Sequence, residues 1–155
     1  MKIRLASLQN GFNRWLETIE PSELELSPDH FDSSLEVGLT AEITGGRVTL
    51  QITVTTPGHF ECDRCGNFFR QSIAGACSVM FIKRDEALPD EMPGDDLRTF
   101  LPGQDELDIT VDVRDAMLLA MPMRLLCREE CRGLCPRCGV NLNTESCNCQ
   151  VNAAP

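Results

Sequence analysis

The sequence predicts an α+β fold: an antiparallel β-sheet or partly open barrel with one or two helices, ended by a cysteine-rich C-terminal tail. Three observations predict it. Residues 35–54 alternate apolar and polar side chains about a Gly-Gly pair, a helical apolar stripe follows near residue 112, and six of the nine cysteines fall between Cys127 and Cys149. At 155 residues and 42% apolar, the chain has the size of one domain and enough apolar matter for one core.

The elements are read in chain order. Ile3 and Leu5, with Leu24 and Leu26, suggest short strands near the N-terminus, and Phe12–Glu17 reads as a turn or short helix. Leu35, Val37, Leu39, Ala41 and Ile43 alternate with polar or small residues, Gly45-Gly46 turns the chain, and Val48, Leu50, Ile52 and Val54 alternate again. Period-two patterning about two glycines marks a hairpin with one buried face. Pro57-Gly58 is expected to end its second strand, with a third strand near His59–Cys62 and a fourth from Phe69 to Ile82. Leu107, Ile109 and Val111 resume strand-like alternation. Asp112 then suits the start of a helix running to about Ala120, where Val113, Ala116, Met117 and Ala120 form its apolar stripe and Pro122 stops it.

Charge narrows the function classes. Fourteen Lys and Arg face twenty-four Asp and Glu, a net of −10. Nine of those acids lie between Asp85 and Asp108 against the single base Arg98, an acidic loop that reads either as a solvated surface or as a docking strip for a basic partner. Phosphate contacts supply most non-specific nucleic-acid affinity, so direct RNA binding is disfavoured, and seven Phe, one Trp and no Tyr leave few rings for base stacking. No apolar run approaches the ~20 residues of a membrane helix, and Met1–Ser7 lacks a signal peptide's apolar block. A cytoplasmic protein without membrane contact is expected.

The cysteines point to metal. Their odd number and the absence of an export signal argue against an extracellular disulfide framework. Cys135-Pro136-Arg137-Cys138-Gly139 has the form of a knuckle: two sulfurs three positions apart on a turn, with a glycine able to take positive φ. Cys147-Asn148-Cys149 supplies a second pair, so Cys135, Cys138, Cys147 and Cys149 make a first tetrahedral set. Upstream, Cys62-Asp63-Arg64-Cys65-Gly66 repeats the unit, and Cys127 and Cys131 remain to complete a second set. Spacing alone leaves that second site open. Zinc suits four thiolates; a rubredoxin-like single iron and a metal-free cluster of reduced thiols are the alternatives, and the expectation is one zinc ion or two. Cys77 reads as an apolar filler in a strand, and His59 as a surface residue rather than a ligand. A thioredoxin-type dithiol is disfavoured because strands rather than a helix flank Cys62 and Cys65.

No phosphate-binding glycine loop, nucleophile elbow or His-Glu-x-x-His occurs, and His30 and His59 are the only histidines. A four-thiolate zinc is closed to substrate, so the chain is expected to be a non-enzyme with no small-molecule substrate. The predicted organisation is a β-rich core over 1–126 that includes the acidic loop 85–108, a zinc-knuckle tail over 127–149 packed on it, and a disordered end over 150–155.

The segments Leu118–Cys127, Cys131–Asn143 and Cys147-Asn148-Cys149, with Glu61-Cys62-Asp63-Arg64-Cys65 upstream, resemble the YceD-like family of large-ribosomal-RNA accumulation proteins. The resemblance covers about residues 35–149. It implies a small bacterial or plastid protein needed for 23S ribosomal RNA accumulation, often encoded beside a small basic zinc-containing ribosomal protein, with no enzymatic activity established. Joined to the charge, it leads to a zinc-binding factor for large-subunit biogenesis that reaches 23S rRNA indirectly, through a basic ribosomal or assembly protein. Two alternatives stand beside it. One is direct RNA binding through Arg124, Arg128, Arg132 and Arg137, largely offset by Glu129, Glu130 and Glu145. The other is a thiol-based redox sensor that releases zinc on oxidation.

Overall fold

The computed structural model describes residues 1–84 and 97–149. Most of the acidic stretch, 85–96, and the predicted disordered end, 150–155, lie outside the described residues. Among the described residues seven strands form: β1 (Lys2–Arg4), β2 (Gly11–Ile19), β3 (Leu35–Thr44), β4 (Arg47–Glu61), β5 (Phe68–Lys83), β6 (Leu97–Phe100) and β7 (Glu106–Asp108), followed by one α-helix, α1 (Thr110–Leu119). By its contacts the chain makes two compact units. The first is Met1–Gly58 with Ser72–Met121, and the second is His59–Gln71 with the chain from Pro122 onward. Gly58 lies within β4 and Ser72 within β5, so these strands contribute residues to both units.

The first unit is built on a five-stranded sheet in the order β2-β3-β4-β5-β6, with a separate two-stranded sheet of β1 and β7. The sheet is open rather than barrel-closed, and it is mixed. β2 with β3 and β3 with β4 run antiparallel, whereas β5 and β6 pair in parallel from Met80↔Leu97 to Lys83↔Phe100. The predicted hairpin forms as β3–β4, closing at Thr44↔Arg47 on Gly45 and Gly46, at φ +57° and +79°. Both turn residues thus need the left-handed region that only glycine takes freely. Leu35, Val37, Leu39 and Ala41 and, opposite them, Val48, Leu50, Ile52 and Val54 are buried, each at 2% exposure or less.

Several expectations change. Leu24 lies in a short 3-10 helix, Pro21–Leu24, rather than a strand, and Val111 lies in α1 rather than continuing the strand-like alternation. Phe12–Glu17 is not a turn or helix but part of β2, paired along β3 from Gly11↔Ile43 to Ile19↔Leu35. Its outward residues Phe12 and Leu16 are 79% and 80% exposed, so an edge strand with apolar residues on its solvent face hides the usual alternation. Pro57-Gly58 does not end a strand, because β4 runs through both to Glu61. Asp112 sits in the first turn of α1 rather than at its cap and forms a two-pronged ion pair with Arg98 at 2.7 and 2.8 Å. The N-cap position falls on Ile109, which has no side-chain cap, and Asp108 just before it accepts from the Thr110 N–H at 2.9 Å and its hydroxyl at 2.6 Å.

The predicted apolar stripe of α1 buries Val113, Ala116 and Met117. Gly75 on β5 makes the approach of α1 possible, since a Cβ there would collide with the Ala116 carbonyl. Cys77, half-buried on β5, directs its thiol toward the Asp112 carbonyl at 3.6 Å. Among the described residues no helix is long and apolar enough to cross a membrane.

Candidate metal centres

Both cysteine sets lie in the second compact unit, and both converge. Cys62, Cys65, Cys127 and Cys131 bring their sulfurs within 4.8 Å of one another, and so do Cys135, Cys138, Cys147 and Cys149. All are free thiols. Within them, the Cys62–Cys131 and Cys65–Cys127 sulfurs lie 3.7 Å apart and the Cys135–Cys147 sulfurs 3.4 Å apart. A tetrahedral ion with metal–sulfur bonds near 2.3 Å needs sulfurs ~3.8 Å apart. The donor set and spacing of each tetrad therefore fit a metal ion, and four thiolates are compatible with zinc.

Each tetrad is built on the same local device. In the upstream knuckle the Cys62 carbonyl accepts from the Gly66 N–H at 2.9 Å, and the Cys62 N–H donates to Asn67 at 3.0 Å. In the tail knuckle Cys135 accepts from Gly139 at 2.9 Å and donates to Val140 at 2.8 Å. Gly66 and Gly139 adopt φ +69° and +73°, the left-handed geometry that ends both turns. The repeat is thus structural as well as sequential.

The upstream pair meets Cys127 and Cys131 through the residues between the cysteines. Asp63 and Leu125 exchange two bonds: Asp63 N–H to the Leu125 carbonyl at 2.8 Å, and Leu125 N–H to the Asp63 carboxylate at 2.7 Å. Arg64 donates to the Cys131 carbonyl at 2.9 Å and accepts, through its own carbonyl, from Leu134 N–H at 3.1 Å. Gly133, at φ +75°, lets the chains come this close, for a Cβ there would lie 3.0 Å from the Arg64 carbonyl oxygen. Phe69, Leu126 and Cys127 pack against the buried Cys62, Cys65 and Cys131. The tail loop closes on itself, with Leu134 bridged to Asn141 and Leu142 N–H donating to Gly133 at 3.0 Å.

The electrostatics are those of sulfurs gathered around a place for a cation. Burial pushes Cys62 up, yet the backbone N–H groups of Cys127, Arg64 and Cys65 outweigh it and hold the thiol down at about 6. The N–H groups of Cys138 and Arg137 and the Cys147 thiol bring Cys135 to about 6. Burial and the neighbouring thiols push Cys127 up to about 12, and Cys138 with burial does the same for Cys149. For Cys131, burial is opposed by the Asn143 amide and the Gly133 N–H, and the net direction is down. Each tetrad thus mixes thiols held down, Cys62 and Cys131 in one and Cys135 in the other, with neighbours pushed up, and a central dication removes the repulsion between them.

Every cysteine singled out for ligation in the sequence thus sits in one of the two tetrads, and Cys77 and the two histidines sit in neither. Sequence reasoning missed Asp63, Arg64, Asn141 and Asn143, which hold the ligands. The only available signal was that polar residues occupy the turns between the cysteines.

The profile of the large ribosomal RNA subunit accumulation protein YceD family matches residues 50–154. An uncharacterised protein of Mycobacterium tuberculosis is 30% identical over 122 residues, covering 79% of this chain and 58% of that one. Chloroplastic large ribosomal RNA subunit accumulation protein YCED homolog 1 is 28% identical in Arabidopsis thaliana, over 63% of this chain and 37% of that one. Its Zea mays counterpart is 40% identical over 57 residues, 36% of this chain and 20% of that one. The chain spans little more than half the length of the mycobacterial relatives it matches. No solved structure matches. With two thirds of its length, both cysteine tetrads included, inside the family profile, the chain belongs to the YceD family of large ribosomal RNA subunit accumulation proteins.

Proposed function

We propose that the chain is a non-catalytic zinc protein of large-subunit biogenesis, which supports 23S rRNA accumulation by holding a basic ribosomal or assembly protein. The observation that carries the reading is the uneven charge of the two units. Among the described residues the first has thirteen Asp and Glu against eight Lys and Arg, and the second has five against six. An acidic body steers a basic partner electrostatically, and its binding weakens with salt. Cys62, Cys65, Cys127 and Cys131 would hold one zinc, and Cys135, Cys138, Cys147 and Cys149 the other. Bound there, zinc supplies a cross-link and no open coordination position, which supports a structural rather than a catalytic role.

Two measurements test this reading. Depletion in the host should lower 23S relative to 16S rRNA, and an unchanged ratio contradicts the reading. Capture of partners by the tagged protein should yield a basic protein at low salt and lose it at high salt. Salt-insensitive retention of naked 23S RNA with no protein would instead favour direct RNA binding, for which the Arg-richer second unit offers Arg124, Arg128, Arg132 and Arg137.

A further inference from the structure

Asn143 lies on the loop between Cys138 and Cys147, so ligands of the tail tetrad close that loop at both ends. Its side chain nevertheless serves the other tetrad. The amide nitrogen donates to the Cys131 sulfur at 3.3 Å and to the Asn141 side-chain oxygen at 2.8 Å. The amide oxygen accepts from the Arg132 N–H at 2.8 Å and the Arg128 guanidinium at 2.7 Å. Both N–H groups and both oxygen lone pairs are used, and the partners allow one orientation only. Flipping the amide would aim its oxygen at a sulfur and a carbonyl oxygen and its N–H groups at two donors. The backbone is pinned as well, by Asn143 N–H to the Asn141 side chain at 3.0 Å and by the Leu142–Gly133 bond.

We propose that Asn143 couples the two tetrads, so that a metal ion closing the tail tetrad raises the affinity of the upstream tetrad through the amide held against Cys131. This rests on the reading that both tetrads hold metal. An N–H donor on a coordinating sulfur stabilises its thiolate and fixes its direction, and loss of such a supporting partner costs ~10–100-fold in metal affinity. The donor is in place only while the loop from Gly139 to Ser146 is folded, and the tail tetrad ties that loop at both ends, adding to the Leu142–Gly133 and Leu134–Asn141 contacts that hold it. Linkage makes the effect reciprocal: metal at the upstream tetrad raises the affinity of the tail tetrad by the same factor.

Cadmium, a spectroscopic stand-in for zinc, tests the coupling in the full reduced chain. Its 113Cd resonances would be assigned with the Cys62→Ser/Cys65→Ser variant and followed in titrations against a competing chelator. Asn143→Ala should weaken cadmium binding at the upstream tetrad about 10-fold or more and shift its resonance, while the tail resonance stays in place. In a Cys147→Ser/Cys149→Ser background the upstream tetrad should already be weak, and Asn143→Ala should weaken it no further. Equal effects of Asn143→Ala in both backgrounds would overturn the coupling, as would no effect in either. If the Cys147→Ser/Cys149→Ser protein does not fold, the resonance test decides: an upstream signal unmoved by Asn143→Ala overturns the proposal with both tetrads intact. A wild-type chain that binds fewer than two ions defeats the two-metal reading itself, and is told apart by its missing resonance.

Discussion

At Gly133 the backbone takes φ +75° with the Arg64 carbonyl 3.0 Å from where a Cβ would stand. Gly133→Ala therefore meets both left-handed strain and a backbone collision, and should lower stability by about 1–3 kcal/mol, read by denaturant unfolding of the metal-loaded protein. A smaller effect is expected at Asp63. Asp63→Ala leaves the Leu125 N–H without its acceptor and should cost about 1 kcal/mol, with faster zinc loss to a chelator. At this scale the cysteines were legible because a ligand pair writes its geometry into its own spacing. Asp63, Arg64 and Asn143 were not legible, because what each does depends on a partner brought close by folding: Leu125 and Cys131 lie 62 and 67 positions from Asp63 and Arg64.

Among the elements, the β3–β4 hairpin was readable because one face is buried and the turn requires two glycines. β2 was not. Its solvent face carries Phe12 and Leu16, and only pairing with β3, some twenty residues on, reveals it as a strand. The helix was readable from its apolar stripe, but its start was not: the cap falls on Ile109, Asp112 lies inside the first turn, and Asp108 accepts from the first helical N–H. Gly75 is the contact that seats α1 on the sheet, so Gly75→Ala should destabilise the protein by about 1–3 kcal/mol and lower Tm. Asp108 gives a pH prediction. The Thr110 hydroxyl and N–H hold its carboxyl below the ordinary value of 3.8. Its contribution is thus present above that value and fades as pH falls through the lower folded one. The side chain is 59% exposed, so the effect is small. Asp108→Asn should flatten the acid limb of a stability–pH curve below about pH 4 and change little at neutrality.

For the whole molecule, the account joins two units of different character, one acidic and built on a sheet, the other organised by two sulfur clusters with few large apolar residues. Composition exposed the net charge and the sequence its location before residue 122, and grouping 59–71 with the tail leaves that balance unchanged, since Glu61 and Asp63 there are offset by Arg64 and Arg70. The apolar contribution to the second unit is modest, and a structural zinc site adds on the order of 10–16 kcal/mol at neutral pH. Metal removal by a chelator under reducing conditions should therefore disorder the residues around both tetrads while the hairpin amides of β3 and β4 stay protected from hydrogen exchange. The most direct test is metal analysis of the freshly purified, reduced chain. The account predicts two equivalents of zinc, falling to one in the Cys62→Ser/Cys65→Ser variant; a metal-free chain that remains fully ordered through Cys149 would contradict it.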